Sequence, residues 1–312
     1  MTKFDDQYID LCKRILDHGQ KIQNYSGKSH GNSAVPEHKA QEGVKTIRLP
    51  HQVMQFDLEE EFPILTSKKV AFKTAVLEML WIFQVQSNDV RWLRDRNIKI
   101  WNEWEIPENG IYMGRDFRKM YADKGLEEDP AHTIGTAYGW ITKRYQLTQN
   151  LLDTLKNDPG NRRMVVSLWQ NEFIQTAALP SCVWNSQWNI TDGRLNILVT
   201  SRSTDVPLGL PFNIVQYAVF CYLVAHCIGV RPGQFTFITN DAHIYENQVE
   251  GIKEQIERYD QAKKDGSLPP APNLWINPEV RDFFKLDNSK ELADIRLENY
   301  ENLGTIKMPI AA

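Results

Sequence analysis

The sequence predicts an α+β fold organised as one domain over 312 residues. Three observations carry that reading. The stretch from Val183 to Thr200 splits into two strand-like runs around Asp192-Gly193, a two-residue hairpin signal. Segments 69–85 and 213–228 have helical length and an apolar character that suits buried helices. No repeat period, low-complexity tract or linker divides the chain, so helices packed on one hairpin-bearing sheet is the expected layering.

Composition narrows the function classes. Hydrophobic residues make up 42% and charged residues 24%, ordinary for a globular protein, and the net charge is −4. That balance excludes a general binder of DNA, RNA or anionic membranes, which would carry a basic face. A small anionic substrate remains compatible, because a few placed arginines suffice. The four cysteines, Cys12, Cys182, Cys221 and Cys227, lack the spacing of a zinc site, so no metal is expected. They are also too few for a disulfide scaffold, which favours a reducing compartment. The N-terminal MTKFDDQYIDLCKRIL has early acids and does not read as a signal peptide. The apolar run Val215–Ala225 is interrupted at Gln216 and falls short of the ~20 residues a membrane span needs. A cytoplasmic protein is expected.

Along the chain, residues 4–17 place Tyr8, Leu11, Cys12 and Ile15 at helical spacing, with His18-Gly19 as a stop. Residues 24–43 have no periodicity and read as a loop. Residues 44–57 read as short strands, with Pro50 at an edge or bulge. In the 69–85 helix, Glu78 is set among Leu77, Met79, Leu80 and Trp81. A buried carboxylate costs several kcal/mol unless it is paired or its pKa rises. Glu78 is therefore either an outward polar seam or a tuned acid–base group. Trp101 and Trp104 follow, then residues 106–133, which read as a surface insertion, and Tyr138 beside Gly139. Residues 147–157 form a helix stopped by Asp158-Pro159-Gly160. Arg162 and Arg163 then stand at the entrance of a buried strand. They are either solvated or a paired guanidinium fork for phosphate.

The densest chemistry is in 179–213, LPSCVWNSQWNITDGRLNILVTSRSTDVPLGLPFN. If the Asp192-Gly193 turn sets the register, Thr191 faces Arg194 and Cys182 faces Ser203. Regular pleating then sends Arg202 to the face opposite Cys182. The two can share a site only if a bulge breaks the register. An arginine beside a thiol favours the nucleophilic thiolate, while the alternative for Cys182 is a small core residue. Asn213 is either the N-cap of the 213–228 helix or an amide that reads a lactam-like edge. Asp241, His243 and Tyr245 alternate along a strand and share one face, as a hydroxyl grip or a surface row.

Taken in order, LEMLWIF, IWNEW, TAYGW, NDPGNRR, LPSC, RSTDVPLGLPFNI and DAHIYENQ span nearly the whole chain. Together they resemble the thymidylate synthase family. The resemblance implies a large mixed β-sheet covered by helices on one face, the other face forming a homodimer interface. It implies conversion of dUMP to dTMP with 5,10-methylenetetrahydrofolate, through attack of Cys182 on pyrimidine C6. Arg202 and Ser203 would hold the substrate phosphate, joined by Arg162 and Arg163 of the other subunit. Asn213 would read the uracil edge, His243 and Tyr245 the deoxyribose, and Asp205 would contact substrate and folate. Glu78 would assist proton transfers around O4. Trp101, Tyr138 and the C-terminal Ala311 would line or close the folate side.

Three departures from the family pattern stand out. Val183 follows the nucleophile where His is common, and Ser201 stands where Gln is common. The N-terminal phosphate arginine of an RTGT loop has no counterpart before Lys45, leaving Lys28, Lys39 or Lys45 as substitutes. A sibling activity, pyrimidine nucleotide hydroxymethylation with the same folate, is the alternative reaction. A non-catalytic nucleotide-binding relative is a third.

Overall fold

The computed structural model describes residues 2–23, 25–26, 41–42 and 44–309. Its centre is a seven-stranded mixed sheet. The strands are β1 (Gln20–Ile22), β2 (Thr46–Asp57), β3 (Val165–Ser167), β4 (Val183–Thr191), β5 (Arg194–Ser201), β6 (Thr204–Asp205) and β7 (Arg231–Tyr245). Their spatial order is β1-β2-β7-β5-β4-β3, with short β6 also pairing β7. Only the β7–β5 and β7–β6 pairs are parallel. The expected short strands in 44–57 are one continuous strand. Pro50 is accommodated because it lies beyond the reach of β1, which pairs only Thr46 to Arg48.

The principal helices are α1 (Lys3–His18), α2 (Phe72–Phe83), α3 (Leu147–Asn157), α4 (Gly209–Ile228) and α5 (Val249–Asp265). Thr2 caps α1 by accepting from the Asp5 amide, and Gly19 ends it. In α2 every residue from Ala75 to Phe83 is buried, as its all-round apolar sequence requires. Helix α4 starts at Gly209, one turn earlier than expected, and Asp205 accepts from the amide of Leu208, the residue just before it, at 3.1 Å. This 20-residue helix is long and apolar enough to cross a membrane, yet 72% of its most apolar window is buried inside the protein. Phe83 of α2 stacks on Phe220 of α4 at 4.3 Å, and Trp188 of β4 meets Phe220 edge-on. One face of the sheet thus carries the core through Met54, Phe56, Phe235, Phe237, Ile197 and Val199.

The opposite face of the sheet aligns Val53, Ile238 and Leu198 with Gln55, Thr236, Thr200 and Gln187. Val53 is 54% exposed there, and Val165 on β3 is 48% exposed. Residues 106–133, expected as a surface insertion, carry a small core of their own. Ile106, Tyr112, Phe117 and Tyr121 pack together against Ala178.

Candidate active site

The Asp192-Gly193 turn has φ of +53° and +69°, the positive pair that a two-residue hairpin turn demands. From it the ladder runs in the expected register, Thr191 opposite Arg194 and Asn185 opposite Thr200. The register then shifts by one, so that Val183 faces Ser201 and Trp184 is the extra residue. Counted without this bulge, Cys182 would face Ser203. With it, the Arg202 amide donates to the Cys182 carbonyl at 2.9 Å. The Arg202 Nη2 atom consequently lies 3.5 Å from Cys182 Sγ. The break that the chemistry required is present.

The guanidinium is held firmly. Arg202 Nε donates to the Ser181 carbonyl at 3.1 Å and Nη2 to the Pro180 carbonyl at 2.8 Å. Burial pushes the Cys182 thiol above its ordinary pKa, and the Arg202 charge pulls it partly back. Arg202 therefore acts on the thiol in the expected sense, but desolvation outweighs it in the free protein. The Cys182 amide donates to the Tyr138 hydroxyl at 3.0 Å. Tyr138 itself sits at φ +48°, ψ −107°, a strained conformation for a residue with a side chain. The next residue must be glycine, since a Cβ on Gly139 would come within 1.9 Å of the Ser87 carbonyl oxygen.

Glu78 is buried beside this cluster. Trp101 Nε1 donates to its Oε1 at 2.7 Å and Gln216 Nε2 donates to its Oε2. Burial raises its pKa from 4.5 to about 7, against the pull of those two hydrogen bonds. The outward-seam reading is therefore excluded. Asn213 sits inside α4 rather than at its N-cap, so the capping reading fails as well. Its Nδ2 donates to Gln216 Oε1 at 3.3 Å. Asn213, Gln216, Glu78, Tyr138 and Val183 share a cavity of about 30 Å³. That is room for a water molecule among polar partners.

At the other end of the cluster, Asp241, His243 and Tyr245 lie at alternate positions of β7. His243 Nδ1 is 2.8 Å from Asp241 Oδ1, and the His243 and Tyr245 rings meet edge-on at 5.0 Å. Asp205 on β6 pairs with His243. Burial pushes the Asp205 carboxyl upward, opposed by hydrogen bonds from the Leu208 amide and Gln248. Gln248 Nε2 also donates to the Pro309 carbonyl at 3.1 Å, which ties the C-terminal segment to Asp205. Ala311 lies outside the described residues, as do Lys28 and Lys39. Lys45 is exposed.

Cys182, Arg202, Tyr138, Glu78, Trp101 and Asn213 thus form one contiguous group. Asp205, His243 and Tyr245 form a second, while Ser203 is half-buried between Arg202 and β6. Arg162 and Arg163 join neither group: both are exposed on the loop between α3 and β3. Three contributors were not read from the sequence. Gln216 registered only as an interruption of an apolar run. Gln248 is fully buried just before α5. Lys68 is buried with Nζ on the Pro207 carbonyl, and burial lowers its pKa to about 8. A polar residue recurring inside an apolar helix face was the available signal for Gln216, and nothing local marked the other two.

The family model described as thymidylate synthase matches residues 6–312. A thymidylate synthase of Clostridium beijerinckii is 43% identical over 311 residues, covering all of both chains. One from Bacillus mojavensis is 33% identical over 312 residues with the same full coverage. The solved structure of thermostable thymidylate synthase A from Bacillus subtilis superposes with a TM-score of 0.78 at 31% identity, again over the whole of both chains.

Proposed function

The chain belongs to the thymidylate synthase family, and we propose that the hairpin cluster performs the family reaction with Cys182 as nucleophile. The reaction is methylation of dUMP to dTMP, for which the family uses methylenetetrahydrofolate as co-substrate. The observation that carries the residue assignment is the bulge at Trp184, which places Arg202 3.5 Å from Cys182 Sγ. The sibling hydroxymethylase reading is not favoured, since the relatives matched over their full length are synthases.

In this reading the Cys182 thiolate adds to C6 of dUMP, and the electron pair moves through C5 to O4 as an enolate. C5 then attacks the methylene carbon of the folate. Loss of the C5 proton expels tetrahydrofolate and leaves an exocyclic methylene. Hydride from the same tetrahydrofolate reduces that methylene to methyl, the thiolate leaves C6, and dihydrofolate is released. Glu78, with its carboxyl near neutrality at about 7, is suited to move protons at the O4 side. Asn213 reads the uracil N–H and C=O edge while Gln216 fixes its amide. Arg202 and Ser203 hold the phosphate. Trp101, Tyr138 and Asp205 line the folate side, with the tail up to Ala311 closing it against water.

On the sheet face bearing Val53, Ile238, Leu198 and Val165, the two valines are exposed and the other two are half-buried. We assign this face to a homodimer interface that brings Arg162 and Arg163 of the second copy to the phosphate. All four cysteines are free, which suits a reducing cytoplasmic setting. The test is incubation with dUMP and methylenetetrahydrofolate, following dihydrofolate absorbance and product mass. dTMP with dihydrofolate supports the reading. Hydroxymethyl-dUMP with tetrahydrofolate, or no reaction, overturns it.

A further inference from the structure

The polar row on β7 continues onto β2. Antiparallel pairing sets Arg48 opposite His243 and Thr46 opposite Tyr245, and directly opposed residues project their side chains on the same face. Arg48 Nε donates to Thr46 Oγ1 at 2.9 Å, and its Nη1 lies 3.2 Å from Asp241 Oδ2. The other carboxylate oxygen of Asp241 faces His243 Nδ1 at 2.8 Å. Arg48, Asp241 and His243 therefore form an unbroken line, with one carboxylate oxygen for each neighbour. The Arg48 side chain is 35% exposed, that of Asp241 21%, and that of His243 only 8%.

We propose that Arg48 is a positioning residue for the sugar end of the substrate site, acting on His243 through Asp241. The inference rests on the reading of His243 as a deoxyribose contact. An ionised carboxylate accepts but does not donate, so Nδ1 of His243 carries the proton and Nε2 is left as the acceptor. A 3′-hydroxyl can then donate to Nε2. Without Arg48 the carboxylate is held on one side only, and its rotation changes the direction of the imidazole. Burial alone would push the Asp241 carboxyl up, but the hydrogen bond from His243 and the charges of Arg48 and Arg202 hold it below the ordinary value. The arrangement matches an orienting carboxylate behind a functional histidine, here with a guanidinium behind the carboxylate. Sequence reading passed over Arg48 because it sits in a strand, after the segment searched for a phosphate ligand.

The experiment compares kcat/KM for dUMP and 2′,3′-dideoxyuridine monophosphate, which lacks the 3′-hydroxyl. It uses the wild-type enzyme, Arg48→Met and Asp241→Asn. Wild type should prefer dUMP. Arg48→Met should lose about tenfold on dUMP, the scale of one well-placed hydrogen bond, and nothing on the dideoxy substrate. Asp241→Asn should do the same, and the double variant should lose no more than either single one. Nitrogen-15 spectra of His243 should show the single Nδ1–H tautomer in wild type and a mixture in Arg48→Met. Equal losses on both substrates would overturn the proposal and make Arg48 a phosphate or purely structural residue. An unchanged dUMP preference in the variants, with the preference intact in wild type, would overturn it too. If wild type itself does not distinguish the two substrates, the failure lies with the reading of His243 as a sugar contact, and the proposal falls with it.

Discussion

Glu78→Gln is the substitution whose consequences the structure defines most fully. Burial moves the Glu78 carboxyl from 4.5 to about 7, and at roughly 1.4 kcal/mol per tenfold change this corresponds to about 3 kcal/mol held against the ionised form. The proton is bound more tightly in the folded chain than in the unfolded one. Its contribution to stability is complete below about pH 4.5 and is lost as the pH rises through about 7. A glutamine carries no such dependence. It has a different fault: Trp101 and Gln216 both donate to the Glu78 carboxyl, and one amide oxygen serves only one of them. That mismatch costs about 1–3 kcal/mol at any pH. The variant should therefore be less stable than wild type near pH 5 and gain roughly 2–3 kcal/mol relative to it by about pH 8.5. Urea unfolding at the two pH values measures this. Turnover followed by dihydrofolate absorbance should fall by about 10²–10⁴-fold. The wild-type rate should bend near pH 7 where the variant's profile does not. A stability difference that is the same at both pH values, together with an unchanged rate profile, would refute the argument.

Arg202→Ala should raise the Cys182 pKa further, because it removes the group that opposes desolvation. Iodoacetamide labelling of Cys182 at neutral pH should slow several-fold, and equal rates would show that Arg202 does not tune the thiol. Asn213→Asp should improve dCMP relative to dUMP, since an acidic group can accept from the cytosine amine. Unchanged base preference in kcat/KM would leave Asn213 as a support for Gln216 alone. Cys182→Ser and Arg162→Ala/Arg163→Ala chains should each be inactive alone but recover part of the activity when unfolded and refolded together. Failure to recover would contradict arginine donation across a dimer.

Much of this site was legible in the sequence because its geometry is local. The Asp192-Gly193 turn sets the strand register by its own φ preference, and a count along the hairpin was enough to show that a bulge was needed for Cys182 and Arg202 to share a site. The count did not fix where the break falls; the structure puts it at Trp184 in β4. Glu78 stood out by its chemistry, a carboxylate in an apolar helix, but its partners Trp101 and Gln216 come from 23 and 138 residues away. Asn213 was misplaced at a helix start because the helix already begins at Gly209, with Leu208 rather than Asn213 at its N-cap. The Gln248 bridge from Asp205 to Pro309 and the Arg48–Asp241 pair join segments remote in sequence, and no local pattern announces such pairs.

The central claim is that Cys182 bonds to C6 of the pyrimidine. 5-Fluoro-dUMP tests it directly, since fluorine at C5 cannot leave as a proton and the reaction must stall with the thioether in place. Incubation with this analogue and methylenetetrahydrofolate, followed by proteolysis and mass spectrometry, should find the combined nucleotide–folate mass on the peptide bearing Cys182 and nowhere else. An adduct on Cys12, Cys221 or Cys227, or none at all in a chain that still turns over dUMP, would contradict the account.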